Sequence, residues 1–270
     1  MIRAAAVWML LLCSGCLLPL AGLRQRTSLT TEAGPFEVSS DPNEEVELHR
    51  LERAISAASK NLVRWGTLDQ RVNFYLLPSH LRLASAVGRY GYDWLHAWAR
   101  YDEVYFQSPA SWGDPVSDAD VNELVLHELT HCLMYQRAAT RQTWVDKQIP
   151  LWFREGMATW TASQGDRFPS LEDLARFYEN NPDSDPIEKP DPLYKDNNAI
   201  VYSAAYHAFA FLIRRSSQAA VVRLLDSMHE GRTFPQAFSF VTGITAQAFA
   251  AEFRHYIVWR GFRGDGRRVR

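Results

Sequence analysis

Hydrophobic and polar residues follow two periods along this chain, and the changes between them predict an order of elements. Apolar and polar residues alternate over 36–40, and V-N-F-Y-L-L covers 72–77, so both segments are predicted to be strands. Between them, apolar residues at helical spacing predict a helix over 41–66. Residues 102–109 are predicted to form a further strand.

Beyond Trp160 the pattern is helical throughout. Ser170 and Asp173 have the spacing of a capping box, which opens a short helix ending near Tyr178. Residues 180–198, rich in Pro, Asp and Asn, predict a loop. The remaining helices are predicted near 199–215, 218–229, 233–241 and 245–260. Strands followed by a run of helices indicate an α+β fold.

The most informative segment is an H-E-x-x-H motif, H-E-L-T-H over 127–131, inside an apolar run of helical period. Ser117, with Asp120 three residues later, is the candidate N-cap of this helix. Positions i and i+4 of a helix share a face, so His127 and His131 can reach one metal ion. Glu128 then lies beside the metal, where a general base is needed.

A catalytic zinc takes three protein ligands and leaves one position for water, so a third ligand should follow. The best candidate is Glu155 in P-L-W-F-R-E-G-M-A-T-W over 150–160, with 23 residues between it and His131. H-E-L-T-H followed by P-x-W-F-x-E-G-x-A resembles the gluzincin metallopeptidases, in which two His and one Glu hold zinc. The closest resemblance is to the compact bacterial peptidase MA-like group, which is related to the M1 aminopeptidases.

The resemblance implies a gluzincin-like architecture: a small mixed sheet, the zinc helix beneath it, and a helical C-terminal subdomain that closes the cleft. The expected parts are an α+β catalytic subdomain over 36–165 and a helical subdomain over 166–260. In such folds the strand over 102–109 would be the sheet edge that borders the cleft, and the loop over 180–198 is expected to overhang it. The G-x-M-E-N signature of M1 aminopeptidases is absent from this sequence, which removes the main reason to expect an aminopeptidase.

The resemblance also implies residue roles. His127, His131 and Glu155 would hold Zn²⁺, and Glu128 would be the general base. In Y-S-A-A-Y-H-A-F-A-F-L over 202–212, Tyr202 matches the family tyrosine that hydrogen-bonds the tetrahedral intermediate. Tyr206, one turn on, is the alternative donor, and both tyrosines acting only in packing is a further alternative.

This sequence also departs from some gluzincins at a residue that orients a histidine ligand. Some gluzincins place an Asp four residues after the ligand Glu, where it orients a ligand histidine. This chain has Thr159 at that position, so the second N–H of the histidines must find another acceptor.

The first 22 residues are expected to be a targeting segment, with an apolar run too short to span a membrane. L-C-S-G-C over 12–16 resembles a bacterial lipobox with Cys16 as the acylated residue, although Cys13 departs from the preferred Leu. A plain secretory signal is the alternative. Either way we expect export, to the cell envelope on a lipid anchor at Cys16 or into the medium. Residues 23–35 are predicted to be a tether, and 261–270 a basic tail.

Composition bears on two further points, nucleic-acid binding and the role of the cysteines. The chain has 270 residues, 47% of them hydrophobic, and a formal charge of −2, which is ordinary globular material without an electrostatic reason to expect nucleic acid as a partner. Two of the three cysteines belong to the first 22 residues. Cys132 follows His131 but points about 100° away on a helix, so a buried core residue is expected.

The resulting hypothesis is zinc-dependent hydrolysis of peptide bonds, with a peptide or protein as substrate. Two other classes stay open: an exported zinc-binding scaffold lipoprotein without catalysis, and a metal-dependent hydrolase acting on something other than a peptide.

Overall fold

A computed structural model describes residues 20–260, the last of them by its backbone alone. This part of the chain forms five strands and ten α-helices. The strands are β1 Gln25–Thr31, β2 Gly34–Ser40, β3 Val72–Leu77, β4 Ala97–Arg100 and β5 Glu103–Gln107. The helices are α1 Glu45–Leu62, α2 His80–Val87, α3 Asp118–Ala138, α4 Leu151–Thr161, α5 Leu171–Asn180, α6 Asp191–Tyr194, α7 Asn198–Ser216, α8 Gln218–His229, α9 Phe234–Thr242 and α10 Ala246–Arg260.

The strands form one mixed sheet in the order β1-β2-β3-β5-β4. The inner pairs β2/β3 and β3/β5 are parallel, and the outer pairs β1/β2 and β4/β5 are antiparallel. The predicted α+β class is therefore confirmed. The prediction that 102–109 is the edge strand was wrong, because β4 turns back at Tyr101 and Asp102 and pairs along β5. The edge strand that packs against α3 is β4.

The predicted tether over 23–35 was also wrong. Gln25 to Thr31 form β1, which pairs antiparallel with β2 from Gln25 opposite Ser40 to Thr31 opposite Gly34. Exposed and half-buried residues alternate along β1, so its composition is as polar as that of a linker. Threonine nevertheless favours strands, and pairing with β2 satisfies the backbone.

The helical predictions agree closely with the structure. The four helices from residue 198 onward, α7 to α10, are each within one residue of their predicted bounds at either end. Asp41 caps a 3-10 turn over Pro42–Glu44 that leads into α1, so α1 itself begins at Glu45. The predicted loop contains the short helix α6.

Some predictions lie outside the described residues: Cys16, nearly all of the targeting segment, and the tail over 261–270. Within 20–260, none of the helices combines the length and the apolar character that crossing a membrane requires.

Helix α3, which carries the H-E-x-x-H motif, runs through the core. Its residues Val121, Val125, Leu129 and Leu133 are fully buried, and it packs against α1, α4, α8 and β4. Cys132 is also fully buried, and its thiol donates to the carbonyl of Arg100, so it is the core residue that was predicted.

Helix α4 crosses α7 at a close approach that only glycine permits. A Cβ added to Gly156 would lie 2.4 Å from the carbonyl oxygen of Ala205 and 2.7 Å from Cβ of Phe209. This crossing fixes α4, and with it Glu155, against the C-terminal helices.

Candidate metal centre and its cleft

Helix α3 begins with the capping box that the sequence predicts. The Ser117 side chain accepts from the backbone N–H of Asp120, and the Asp120 carboxylate accepts from Ser117 N–H. One face of the helix then presents His127 and His131 together. Their Nε2 atoms lie 3.2 Å apart, at the wall of a cleft.

Helix α4 brings Glu155 to the two histidines. Its Oε2 lies 3.4 Å from Nε2 of His127 and 3.6 Å from Nε2 of His131. The three atoms thus form a triangle with edges of 3.2, 3.4 and 3.6 Å. A tetrahedral site with metal–ligand distances of about 2.0–2.1 Å has edges of about 3.3–3.4 Å. The triangle fits a zinc ion seated above it.

The electrostatics agree with a cation at this place. Glu155 Oε2 is buried, faces two ring nitrogens, and has no hydrogen-bond partner among the described residues. Burial opposes ionisation of this carboxyl, but the imidazoles of His131 and His127 outweigh it and hold the pKa well below its usual range. A buried, ionised oxygen without a donor is costly unless it binds a positive charge.

The number of ligands bears on the type of site. Within residues 20–260, the one group of at least three potential ligands whose donor atoms all lie within 4.8 Å of one another is His127, His131 and Glu155. Structural zinc sites usually have four protein ligands, and catalytic ones have three with an open position. Three ligands beside a cleft match the catalytic arrangement.

The second ring N–H of His127 has a hydrogen-bond acceptor that the sequence did not identify. Its Nδ1 lies 2.9 Å from Oε1 of Gln164, so the ring donates Nδ1–H and leaves the Nε2 lone pair for a metal. Thr159 instead donates to the backbone carbonyl of Glu155 at 2.7 Å, which agrees with the expectation that the partner comes from elsewhere. Gln164 follows α4, where Ser163 turns the chain by adopting a left-handed backbone conformation. No local sequence pattern marked it.

Glu128 points to the edge strand. Its carboxylate accepts a hydrogen bond from the backbone N–H of Ala99 in β4, and burial raises its pKa against the opposing effect of that bond and of the two histidines. The side chain lines the cleft but is not a member of the three-ligand group. Glu128 therefore lies beside the three candidate ligands and is not one of them.

The cleft over the three ligands has a volume of about 390 Å³. A second hollow of about 260 Å³ lies beside it and shares Leu95, Ala97, His127, Glu128 and Tyr202 with it. His127 and Glu128 therefore lie between the two hollows, whereas His131 and Glu155 line only the first. The remaining residues that line the first hollow are Arg89, Tyr92, Trp98, Ala99, His131, Tyr135, Leu151, Arg154, Glu155, Asp191 and Tyr194.

Tyr202 lines both hollows, whereas Tyr206 lines neither of them. Tyr202 stacks on Phe168 with ring centroids 5.4 Å apart, and its hydroxyl lies 3.4 Å from that of Tyr194. Burial raises the pKa of Tyr202 well above its usual value, so the phenol keeps its proton at neutral pH. Tyr206 packs against Gly165, where an added Cβ would lie 2.3 Å from its ring.

Tyr194 is a cleft residue that the sequence did not indicate. It lies on α6, inside the segment predicted to be a loop over the site, and with Asp191 it lines the first hollow. The aromatic-rich run over 90–101 supplies Tyr92 and Trp98 to the cleft wall as well.

Comparison with known proteins agrees with this geometry. Residues 115–259, more than half of the chain, match the family model of the Peptidase MA superfamily. The chain belongs to the peptidase MA superfamily. The match includes the helices that carry all three candidate ligands and Tyr202. No curated protein sequence matches this superfamily member.

Solved structures with a similar fold include aminopeptidase A of Legionella pneumophila in complex with aspartic acid, with a TM-score of 0.53 and 16% sequence identity. That match covers 85% of this chain and 28% of the other. A mutant of the M1 zinc metallopeptidase of Deinococcus radiodurans matches with a TM-score of 0.45 and 15% identity, over 88% of this chain and 52% of the other. This chain therefore spans 28% of the first of these proteins and 52% of the second. At 16% identity, the similarity to the first shows a shared fold.

Proposed function

We propose that the protein is a zinc-dependent metallopeptidase that hydrolyses peptide bonds in the cleft between β4 and α7. The observation that carries the proposal is the triangle of His127, His131 and Glu155, with Glu128 beside it and a cleft in front of it. Membership of the peptidase MA superfamily supports peptide-bond hydrolysis as the reaction.

His127, His131 and Glu155 would hold Zn²⁺ through two Nε2 atoms and one carboxylate oxygen. The bound ion would supply Lewis-acid chemistry, polarising the scissile carbonyl and making water a nucleophile near neutral pH. Gln164 fixes the orientation of His127 through its Nδ1, and the burial of all three ligands limits competition from bulk water.

Glu128 is the proposed general base. Its carboxylate, held by the N–H of Ala99, takes a proton from the water that attacks the carbonyl carbon. The same proton then passes to the leaving nitrogen as the C–N bond breaks. Tyr202 donates its phenolic O–H to the oxygen that becomes negatively charged, which its raised pKa permits at neutral pH.

The edge strand β4 is the proposed main-chain contact for the substrate. One side of β4 pairs with β5, and Ala97, Trp98 and Ala99 line the cleft. An extended peptide can add to such an edge through backbone hydrogen bonds, which hold it without regard to its side chains.

The test is digestion of a peptide library by the purified protein, before and after chelation and after zinc is restored. We expect cleavage that disappears with the chelator and returns with zinc, while zinc content stays near one per chain in the active form. His131→Ala is the matched control and should neither retain zinc nor cleave. A zinc-replete wild type that cleaves no peptide would favour the scaffold or the non-peptide hydrolase.

We also propose that the protein is exported and anchored to a bacterial membrane through Cys16. Ser14 and Gly15 supply the small residues that a lipobox requires before its cysteine. Multiple acyl chains hold a protein on a membrane durably, whereas one chain does so only weakly. Mass spectrometry of the mature N-terminus tests this, since an unmodified end that starts elsewhere would indicate a secreted protein.

A further inference from the structure

Two arginines line the first hollow without an acidic partner. Arg89 follows α2, and Arg154 lies on α4 directly before Glu155. Within residues 20–260, neither arginine forms an ion pair with a carboxylate at 4.0 Å or less. Arg167 in the neighbouring hollow differs, because Asp120 and Glu123 each lie 2.6 Å from its guanidinium.

Arg154 is held in a fixed place next to the metal-ligand face. The hydroxyl of Tyr135 accepts a hydrogen bond from it, and Tyr135 in turn stacks on the ring of His131 at 6.1 Å and 13°. The Nε–H of Arg154 is buried and has no hydrogen-bond acceptor. A guanidinium in this position keeps donor capacity that nothing in the described protein uses.

Arg89 lies further out, at the exposed rim. Its guanidinium lies over the ring of Trp98 at 4.9 Å and over that of Tyr92 at 5.9 Å. Stacking of this kind restrains the side chain while leaving its N–H groups free in the plane.

The charges along the hollow favour an anion once a divalent cation is bound. Glu128, Glu155 and Asp191 contribute three negative charges, and the two arginines contribute two positive ones. A divalent ion adds two, so the lining then carries a net charge of about +1. Asp191 is exposed on α6 and forms no ion pair with Arg154, so it leaves the guanidinium available.

We propose that Arg154, with Arg89 at the rim, forms an anion-binding subsite that takes a carboxylate of the bound peptide. This rests on the proposed peptidase function, since it names the substrate class of the same cleft. The planar fork of a guanidinium matches a carboxylate with two parallel hydrogen bonds. That carboxylate comes from an Asp or Glu side chain or from the C-terminus of the peptide.

Binding rather than cleavage is the suitable measurement, because it does not depend on turnover. Zinc-loaded Glu128→Gln protein is titrated calorimetrically with peptides that carry one Glu or the isosteric Gln at each position in turn, each with a free or an amidated C-terminus. Hydrogen bonds to charged groups contribute about 1.5–3 kcal/mol, which converts to a carboxylate advantage in Kd of about 10- to 100-fold. If replacing Glu by Gln in the peptide removes the advantage, the carboxylate comes from a side chain. If amidation of the peptide removes it, the carboxylate comes from the C-terminus.

Four further variants in the same background identify the subsite. Arg154→Gln should abolish the advantage, and Arg154→Lys should retain part of it because the charge remains. Arg176→Gln removes an exposed arginine outside both hollows and should leave the ratio unchanged. If Arg154→Gln does not fold, Arg154→Lys and Arg89→Gln still test the subsite. Each of them should lower the carboxylate advantage in Kd.

Equal binding of all peptides overturns the subsite, even if the wild type cleaves peptides. An Arg154→Gln variant that weakens every peptide to the same extent also overturns it, because that result means a positioning role for Arg154. A carboxylate advantage that depends on Arg154 supports the subsite even if no cleavage is found, so the two proposals fail separately.

Discussion

At the scale of single residues, two neighbouring carboxylates have different partners, and the partners decide their roles. Glu155 faces the rings of His127 and His131 and is held ionised by them. Glu128 lies against the N–H of Ala99, and its burial raises its pKa. The first carboxylate is suited to bind a cation permanently, and the second to accept and release a proton.

Glu128→Gln should remove peptidase activity while leaving zinc content and folding nearly unchanged. Glutamine has nearly the same shape and can still lie beside Ala99, but it cannot accept the proton of water. General-base catalysis contributes about 10²–10⁴-fold, and a group that acts as base and then as acid should be at the upper end. Steady-state kinetics and metal content of the same preparation check this. Wild-type activity in the variant would contradict the mechanism.

Tyr202→Phe should reduce activity less than Glu128→Gln does. The phenyl ring keeps the stacking on Phe168 but loses the O–H that we propose stabilises the oxyanion, a change of about 10²–10³-fold in kcat. Tyr206→Phe is the matched control, because Tyr206 packs on Gly165 outside both hollows. If Tyr206→Phe has the larger effect, the assignment of the donor is wrong.

Gln164→Ala should weaken zinc binding without removing a ligand. The change deletes the acceptor of His127 Nδ1–H, and such outer partners typically contribute about 10–100-fold to metal affinity. Competition with a chelator of known affinity measures the change. Gln218→Ala is a useful control, since that amide donates to the carbonyl of Arg64 on the surface. Equal zinc affinity of the Gln164 variant and the wild type would exclude the orienting role.

Part of the site could be predicted at this scale and part could not. The pair His127 and His131 follows from helical geometry alone, and the segment around Glu155 was identifiable from its resemblance to a family. Gln164 could not be predicted, because its contact with His127 spans 37 residues and depends on how the chain turns after α4. Tyr194 was missed for a similar reason, since it lies in a segment with a loop-like composition.

At the scale of elements, the crossing of α4 and α7 determines where Glu155 lies. Gly156→Ala separates two expectations with opposite signs. Intrinsic helix propensity predicts a gain of up to about 1 kcal/mol in stability. The added Cβ would lie 2.4 Å from the backbone oxygen of Ala205, and overpacking of this kind typically lowers the free energy of unfolding by about 1–3 kcal/mol.

We expect the destabilising effect to prevail, because backbone atoms cannot move aside as a flexible side chain does. Chemical denaturation of wild type and variant measures the sign, and zinc titration of the folded variant should show weaker binding because Glu155 shifts with α4. A variant that is more stable than the wild type would show that the two helices separate freely.

The two edge strands were among the elements that the sequence left out, together with the short helices α2 and α6. β1 has alternating polar residues of the type found in linkers, and β4 has only four residues next to many aromatics. Both are defined by hydrogen bonds to a neighbouring strand, which no short-range pattern records. Strands β3 and β5 and the long helices carry enough buried apolar residues to be recognised, so the sheet centre and the helical part were predictable.

At the scale of the whole molecule, the metal would join two separate helices of the core. His127 and His131 belong to α3, and Glu155 belongs to α4. Since α4 packs closely against α7 at Gly156, a bound ion would connect α3 to the helices that follow it. Occupancy of the site should therefore be visible in the stability of the entire fold.

Removal of the metal should lower the thermal stability of the wild type. An ion that binds the folded state alone stabilises it by about 2.7 kcal/mol when its free concentration is 100 times Kd. Thermal unfolding is followed with zinc and with excess chelator, for the wild type and for His131→Ala. We expect a clear drop in Tm on chelation in the wild type and a much smaller one in the variant, which lacks one ligand. The difference between the two drops is the decisive quantity, because His131→Ala also alters packing against Tyr135 and shifts the baseline. Equal responses to zinc in both proteins would mean that the ion binds somewhere other than at the three ligands.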